Sequence, residues 1–214
     1  MTQTASKLLT AFLNATLAPP LTAAGFKRQG RIFRRVVGEA QQIVDIQLWK
    51  YNDARSARFT LELGVCYPLL LAEVAALPQF AYFRPQLAKP SITECIERTR
   101  IGMLFDKVQD YWWSVETNPA SVPDAQDIIV PLMSRGLPWL QRYSSLAEIC
   151  HAGTPGDGVL RIAACARLGL HNEARAAAMR LAERLSFGQA EATASLRDEL
   201  VFLINKLAQT SKPA

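Results

Sequence analysis

The side chains best suited to chemistry lie in stretches where apolar and polar residues alternate, the pattern of a β-strand with one buried face. Their polar positions supply two carboxylates, an amide, an indole and two guanidinium groups: Asp45, Gln47, Trp49, Glu62, Arg98 and Arg100. If the strands pair as an antiparallel meander, the first three lie beside Thr60 and Glu62, and the two arginines reach the same surface. Such a surface suits the recognition of a polar ligand or a peptide.

Two other interpretations of these residues stay open. In an enzyme acting on a polar or phosphorylated small molecule, Arg98 and Arg100 would bind an anion. Asp45 or Glu62 would then act as general acid or base. An enzyme requires these groups to converge in a concave pocket, whereas a binding surface can present them flat. Alternatively, the face carries only solvated cross-strand ion pairs, or the C-terminal helices cover it.

A basic run interleaved with aromatic residues precedes the first long strand: Lys27, Arg28, Arg31, Arg34 and Arg35, with Phe26 and Phe33. Basic residues there protect an edge strand from pairing with another chain, and they also suit phosphate contacts. Because a strand alternates its side chains, Arg34 and Arg35 must point to opposite faces unless the strand bulges. We therefore expect no appreciable affinity for duplex DNA or structured RNA at physiological salt.

Histidine and cysteine residues indicate neither a metal site nor a nucleophile. His151 and His171 each lack a second ligand at the spacing that builds a zinc site on one helix face. The four cysteines show no C-x-x-C spacing and lie in apolar segments, so we expect reduced, buried thiols. Cys150 does not pair with His151, because neighbouring side chains on a helix diverge by about 100°. No cofactor, metal or catalytic residue is predicted.

Alternation predicts the strands that carry the candidate residues. The clearest is RFTLELGV at 58–65, preceded by IVDIQLWKY at 43–51 and RIFRRVV at 31–37. The turn-forming connector between the strands at 43–51 and 58–65 favours an antiparallel hairpin. Two further strands are predicted in ECIERTRIGML at 94–104 and in DYWWSVE at 110–116.

Helical spacing predicts a first helix from Thr4 to Leu17. After residue 120 the period changes from two to 3.6. A helix is expected over 124–143 with an interruption near Pro131, Gly136 and Pro138, then a helical hairpin over 159–170 and 172–185, and a last helix over 192–209. The GTPGDG segment at 153–158 lacks the Lys-Ser/Thr of a phosphate-binding loop and is interpreted as a linker.

These periods together predict an α+β fold: a mainly antiparallel sheet of about five strands with an N-terminal helix packed on it, followed by an all-helical C-terminal half. The predicted domains are 1–119, the sheet domain, and 120–214, a helical region packed on it or continuous with it.

Composition narrows the class of protein. With 214 residues, 50% hydrophobic and 20% charged, the chain can bury a substantial core. No apolar run reaches the roughly 18 residues of a membrane span, and no basic start precedes a long apolar block, so a cytoplasmic protein is expected. A net charge of +5 and a pI near 9.2 only slightly favour nucleic acid as a binding partner.

Several short motifs follow one another in a characteristic order: an N-terminal helix, GFKRQGRIFRR, IQLWKYN, FTLELGVCYP, and later CIERTRIG with a paired-tryptophan strand. Over residues 5 to 145 this order resembles a bacterial family catalogued as domain of unknown function 4304. The resemblance implies an α+β domain and transfers no catalytic residue. It also suggests a link to immunity proteins that act beside bacterial toxins.

From this we expect a small cytoplasmic binding protein, of an immunity type that neutralises a protein partner, rather than an enzyme. An enzyme using the polar sheet face is the alternative, and nucleic-acid binding ranks third. Strand order, the openness of the polar face, the partner's identity and the oligomeric state stay open at this point.

Overall fold

A computed structural model describes residues 4–76, 84–118, 122–151, 158–185, 194, 197–198 and 200–206. The chain forms two compact units that interleave in sequence. The sheet unit comprises Met1–Cys66 and Glu97–Arg142, and the helical unit comprises Tyr67–Ile96 and Tyr143–Ala214. The predicted division into a sheet domain at 1–119 and a helical region at 120–214 stays a prediction.

The described part of the sheet unit contains six antiparallel strands: β1 Lys27–Gln29, β2 Ile32–Val37, β3 Ala40–Leu48, β4 Ser56–Cys66, β5 Glu97–Arg100 and β6 Trp113–Glu116. They follow the order β1-β2-β3-β4-β5, and β6 also pairs with β4. β5 pairs with 62–65 of β4 and β6 with 56–59, so the two short strands lie end to end along β4. The predicted α+β fold with a mainly antiparallel sheet is confirmed.

One face of the sheet forms the core beneath the first helix, α1 (Ala5–Thr16). Phe59, Leu61, Leu63 and Val65 of β4 are each fully buried, as their alternation predicts. The Phe12 ring of α1 lies 6.4 Å from the Phe59 ring, which places α1 on this face. The predicted N-terminal helix packed on the sheet is therefore confirmed.

The connector between β3 and β4 is held by its own side chains. Asp53 Oδ1 accepts hydrogen bonds from the backbone N–H groups of Arg55 at 2.7 Å and Ser56 at 2.8 Å. Asn52 Oδ1 accepts from the Arg58 N–H at 2.7 Å, and Asn52 Nδ2 donates to the Arg58 carbonyl at 2.9 Å. These local bonds explain why Asn and Asp close this hairpin.

The strand predicted over 94–104 is only partly correct. Glu97–Arg100 is extended as β5, but Ile101–Leu104 forms a 3₁₀ turn. In this turn the Gly102 carbonyl accepts from the Gln109 N–H at 3.2 Å, so the chain folds back on itself rather than continuing along β4. Only the absence of a side chain at Gly102 permits this close return.

The remaining described helices of the sheet unit are α2 (Ala18–Ala23), α4 (Gln126–Pro131) and α5 (Leu137–Arg142). A π-helical turn, Leu132–Gly136, joins α4 to α5 without a break in the helix path. The predicted interruption near Pro131 is thus a local widening of the helix. Proline has no N–H for the regular ladder, which is a common cause of such a change.

The helical unit contains α3 (Pro68–Ala75), α6 (Leu146–His151), α7 (Val159–Arg167) and α8 (His171–Leu185) among its described residues. Residues 200–206 are also helical, whereas 192–193, 195–196, 199 and 207–209 of the predicted last helix and nearly all of the 153–158 linker lie outside the described residues. In the described ranges, no helix combines the length and apolar character required to cross a bilayer.

Candidate binding site

The register of the sheet brings the predicted site residues onto one face, which we call the polar face. Asp45 pairs with Glu62, and Glu62 pairs with Arg100, so these three form one cross-strand row. Gln47 pairs with Thr60 in a neighbouring row. Directly opposed residues share a face, as does every second residue of a strand.

The remaining two predicted residues follow the same alternation. Arg98 pairs with Gly64 two positions from Arg100, and Trp49 follows the last residue of β3. Arg98 is exposed, whereas the other five predicted residues are half-buried. The polar face is therefore neither fully solvated nor fully covered.

In the row formed by Gln47 and Thr60, the described structure buries two polar atoms without a hydrogen-bond partner, Gln47 Oε1 and Thr60 Oγ1. These residues face each other across β3 and β4. A buried polar atom that makes no hydrogen bond costs free energy, so this row is better suited to specificity than to stability.

Burial perturbs the ionisation of Asp45. Burial raises the pKa of its carboxyl above the ordinary value of 3.8, and the charges of Arg31 and Arg34 partly oppose this effect. The pKa of Asp45 is therefore higher in the folded state than in the unfolded chain. As the pH rises from the unfolded-state pKa toward the folded-state pKa, the folded protein loses stability.

We therefore expect Asp45→Asn to be more stable than the wild type at pH 7. The difference in stability should disappear when the pH falls below the pKa that Asp45 has in the unfolded chain, because the wild-type carboxyl is then protonated in both states. Urea denaturation of both proteins at pH 7 and near pH 3 measures this, with the acidic pair as the internal control. Lower stability of Asp45→Asn at pH 7 would contradict the assignment of burial as the dominant cause.

Two indole rings and two guanidinium groups contact one another at one end of the polar face. The Trp49 and Trp112 rings meet edge to face with centroids 5.1 Å apart. The guanidinium of Arg58 lies 5.3 Å from the Trp49 centroid, and that of Arg100 lies 5.3 Å from the Trp112 centroid. We call these four residues the tryptophan–arginine cluster.

Asp110 fixes one half of this cluster. Its two carboxylate oxygens accept hydrogen bonds from Arg100 Nη1 at 2.9 and 2.8 Å. The pKa of Asp110 is lowered, first by a hydrogen bond from the Trp112 side chain and then by Arg100. One carboxylate thus holds both a guanidinium and an indole in place.

The other half of the cluster is more open. Tyr51 joins it with its ring centroid 5.9 Å from that of Trp49, and its side chain is 69% exposed. Arg58 is exposed, and within the described structure its guanidinium has no hydrogen-bond acceptor. This half can therefore offer aromatic surface and unpaired N–H donors to another molecule.

In the described part of the chain, the two arginines of the predicted site are not hydrogen-bonded to its two carboxylates. Arg100 forms its ion pair with Asp110 instead of Glu62, and Arg98 is exposed on the polar face. Two grooves of the sheet unit, of about 440 and 220 Å³, are lined by other residues. Among the described residues, no group of three or more His, Cys, Asp or Glu side chains is arranged to hold a metal ion.

Sequence reasoning missed four members of this site: Tyr51, Arg58, Asp110 and Trp112. A signal for Arg58 was present, since it shares the alternation of Thr60 and Glu62. The paired tryptophans also signalled that one indole must face away from the core. Trp113 is buried, and Trp112 accordingly lies on the polar face.

The basic run divides as its alternation predicts. Arg34 pairs with Ile43 on the polar face, and Arg35 pairs with Gln42 on the core face. Arg35 donates to Gln42 Oε1 from two nitrogens, at 3.0 and 2.7 Å, and to the Ala24 carbonyl at 2.7 Å. Because these three hydrogen bonds occupy the Arg35 guanidinium, it stabilises the fold and is not available to bind a phosphate.

The fold and the cluster define an α+β protein whose antiparallel sheet presents a structured aromatic and cationic surface. The family model described as Domain of unknown function (DUF4304) matches residues 17–142, more than half of the chain, and the match includes all six described strands and the whole cluster. The chain belongs to this family. No curated protein and no solved structure matches it.

Proposed function

We propose that this protein is a bacterial cytoplasmic binding protein of the immunity type, and that its tryptophan–arginine cluster recognises and neutralises a protein partner. The observation that carries the proposal is the fixed placement of Trp112 and Arg100 by Asp110 beside the more open Trp49 and Arg58. The role in immunity follows the resemblance described above.

The residue types favour a protein as the partner. Tryptophan, tyrosine and arginine supply most of the energetically dominant contacts in protein interfaces, because they bury a large area and carry a polar group at the edge. Binding normally costs side-chain entropy, but Asp110 already restricts Arg100 and Trp112. Less of the binding energy is therefore lost on ordering this surface.

The charges indicate the chemistry of that partner. Arg58 and Arg98 are exposed on the polar face, and in the described structure neither guanidinium has a hydrogen-bond acceptor. Guanidinium groups bind carboxylates with two parallel hydrogen bonds. We therefore propose that the partner presents Asp or Glu side chains next to an apolar contact for the indoles.

Capture of a partner from the native host, followed by affinity measurement, tests the proposal. Trp112→Ala should weaken binding of the captured partner by about 30-fold or more, the usual effect of removing a central interface tryptophan. Val36→Ala is the matched control, because Val36 is 70% exposed on the same face but lies on β2. Equal affinity of the Trp112→Ala and Val36→Ala proteins, or no captured protein, would contradict the proposal.

One observation favours the enzyme alternative: the opposed pair of Asp45 and Glu62, in which burial raises the pKa of Asp45. Two opposed carboxyl groups, one of which has a raised pKa, suit general acid–base catalysis. A genomic neighbour separates the two proposals, since a toxin gene directly beside this one favours immunity. A neighbouring set of metabolic genes favours the enzyme.

A further inference from the structure

Two cysteines of the helical unit face each other across adjacent helices. Cys150 lies near the end of α6 and Cys165 in α7, and their sulfur atoms are 2.8 Å apart. A disulfide bond has an S–S distance of about 2.0 Å, so the sulfurs need to approach by less than about 1 Å to form one. The absence of a C-x-x-C spacing concealed this pair from sequence reasoning.

The two cysteines differ in their exposure to solvent. Cys150 is half-buried, whereas Cys165 is 4% exposed. The hydrogen bond between the two thiols raises the pKa of Cys150 well above its ordinary value, and burial adds to this effect. The Cys150 thiol is therefore protonated at neutral pH, and its oxidation proceeds through a small thiolate fraction.

We propose that Cys150 and Cys165 form a redox modification site that closes to a disulfide when the protein meets a low-molecular-weight disulfide. The Cys150 thiolate attacks one sulfur of that oxidant, whose S–S bond breaks and releases a first small thiolate. Cys165 then loses its proton to solvent and attacks Cys150 Sγ, which releases the second. The two protein thiols lose two electrons and two protons, and the oxidant becomes two thiols.

The other two cysteines are internal controls. Cys66 is fully buried, and Cys95 is 9% exposed with its thiol directed at the Ser91 carbonyl. Selective loss of the Cys150 and Cys165 thiols would therefore reflect their mutual geometry and not general oxidation.

The decisive experiment incubates the full-length native protein with oxidised glutathione, then denatures it, alkylates the remaining thiols and maps the peptides by mass spectrometry. We expect a cross-link between the Cys150 and Cys165 peptides, with Cys66 and Cys95 alkylated. Alkylation of both Cys150 and Cys165, or a glutathione adduct that persists on Cys150, would overturn the proposal. Each of those results shows that the two sulfurs do not meet.

A second measurement gives the consequence for stability. The bond would close a loop of about 15 residues and restrict the unfolded chain, so the thermal midpoint of the oxidised protein should rise by on the order of 5 °C. Cys165→Ser should show no such rise with oxidised glutathione and should retain the adduct on Cys150. An equal rise in Cys165→Ser would contradict the assignment of the bond to this pair.

Discussion

Phe59→Ala is expected to lower the free energy of unfolding by about 3–5 kcal/mol, the range for removing a fully buried phenylalanine ring. Phe59 is 0% exposed. Its ring stacks on Trp113 at a centroid distance of 5.5 Å and also approaches Phe12 of α1. The substitution therefore removes a contact that joins α1, β4 and β6, and leaves a cavity that rigid strands cannot readily fill.

Phe59→Ala should also affect the candidate binding site. Trp113 is the first residue of β6, and its neighbour Trp112 belongs to the tryptophan–arginine cluster. Loss of the Phe59–Trp113 stack frees the start of β6 to move, and we expect weaker partner binding as a secondary effect.

Tryptophan fluorescence during urea denaturation reports on the unfolding of the sheet unit. The four tryptophans, Trp49, Trp112, Trp113 and Trp139, all belong to that unit. Phe202→Ala is the control, because Phe202 is 55% exposed and its loss should change stability by less than about 0.5 kcal/mol. A loss below about 1 kcal/mol for Phe59→Ala would show that this ring contributes little to the core.

Gly102→Ala is expected to destabilise the sheet unit by about 2–3 kcal/mol, at the upper end of the usual cost of overpacking. A methyl group at this position would lie 2.8 Å from the backbone nitrogen and Cβ of Tyr111, and closer still to the Gln109 carbonyl oxygen. Backbone atoms cannot rotate away as the end of a long side chain can. The segment that returns beside the 3₁₀ turn must shift as a whole.

That segment carries Asp110 and Trp112, so Gly102→Ala should also loosen the cluster. Two other glycines provide a graded comparison. A methyl group at Gly136 would lie 3.1–3.2 Å from side-chain carbons of Leu132, Ile101 and Leu63, which can yield slightly, and at Gly158 it would meet nothing within 4 Å. We expect the loss of stability on substitution by alanine to be largest at Gly102, smaller at Gly136 and smallest at Gly158. Equal losses at Gly102 and Gly158 would contradict the steric argument.

Local pattern was sufficient to predict much of this fold. The alternation in β4 identified its buried face, because side chains on a strand point alternately to opposite sides whatever their partners are. The same rule correctly separated Arg34 from Arg35 and placed Asp45, Glu62 and Arg100 on one face. The change to helical spacing likewise predicted the helical C-terminal half.

Only the tertiary structure decided which distant segments meet. β5 and β6 lie end to end along β4, and this arrangement brings Trp112 to Trp49. Helix packing likewise brings Cys150 to Cys165. Residue periodicity determines which way a side chain points, but pairing partners depend on packing and loop closure over the whole chain. For this reason the sequence alone predicted the polar face, whereas the tryptophan–arginine cluster and the thiol pair emerged only from the folded chain.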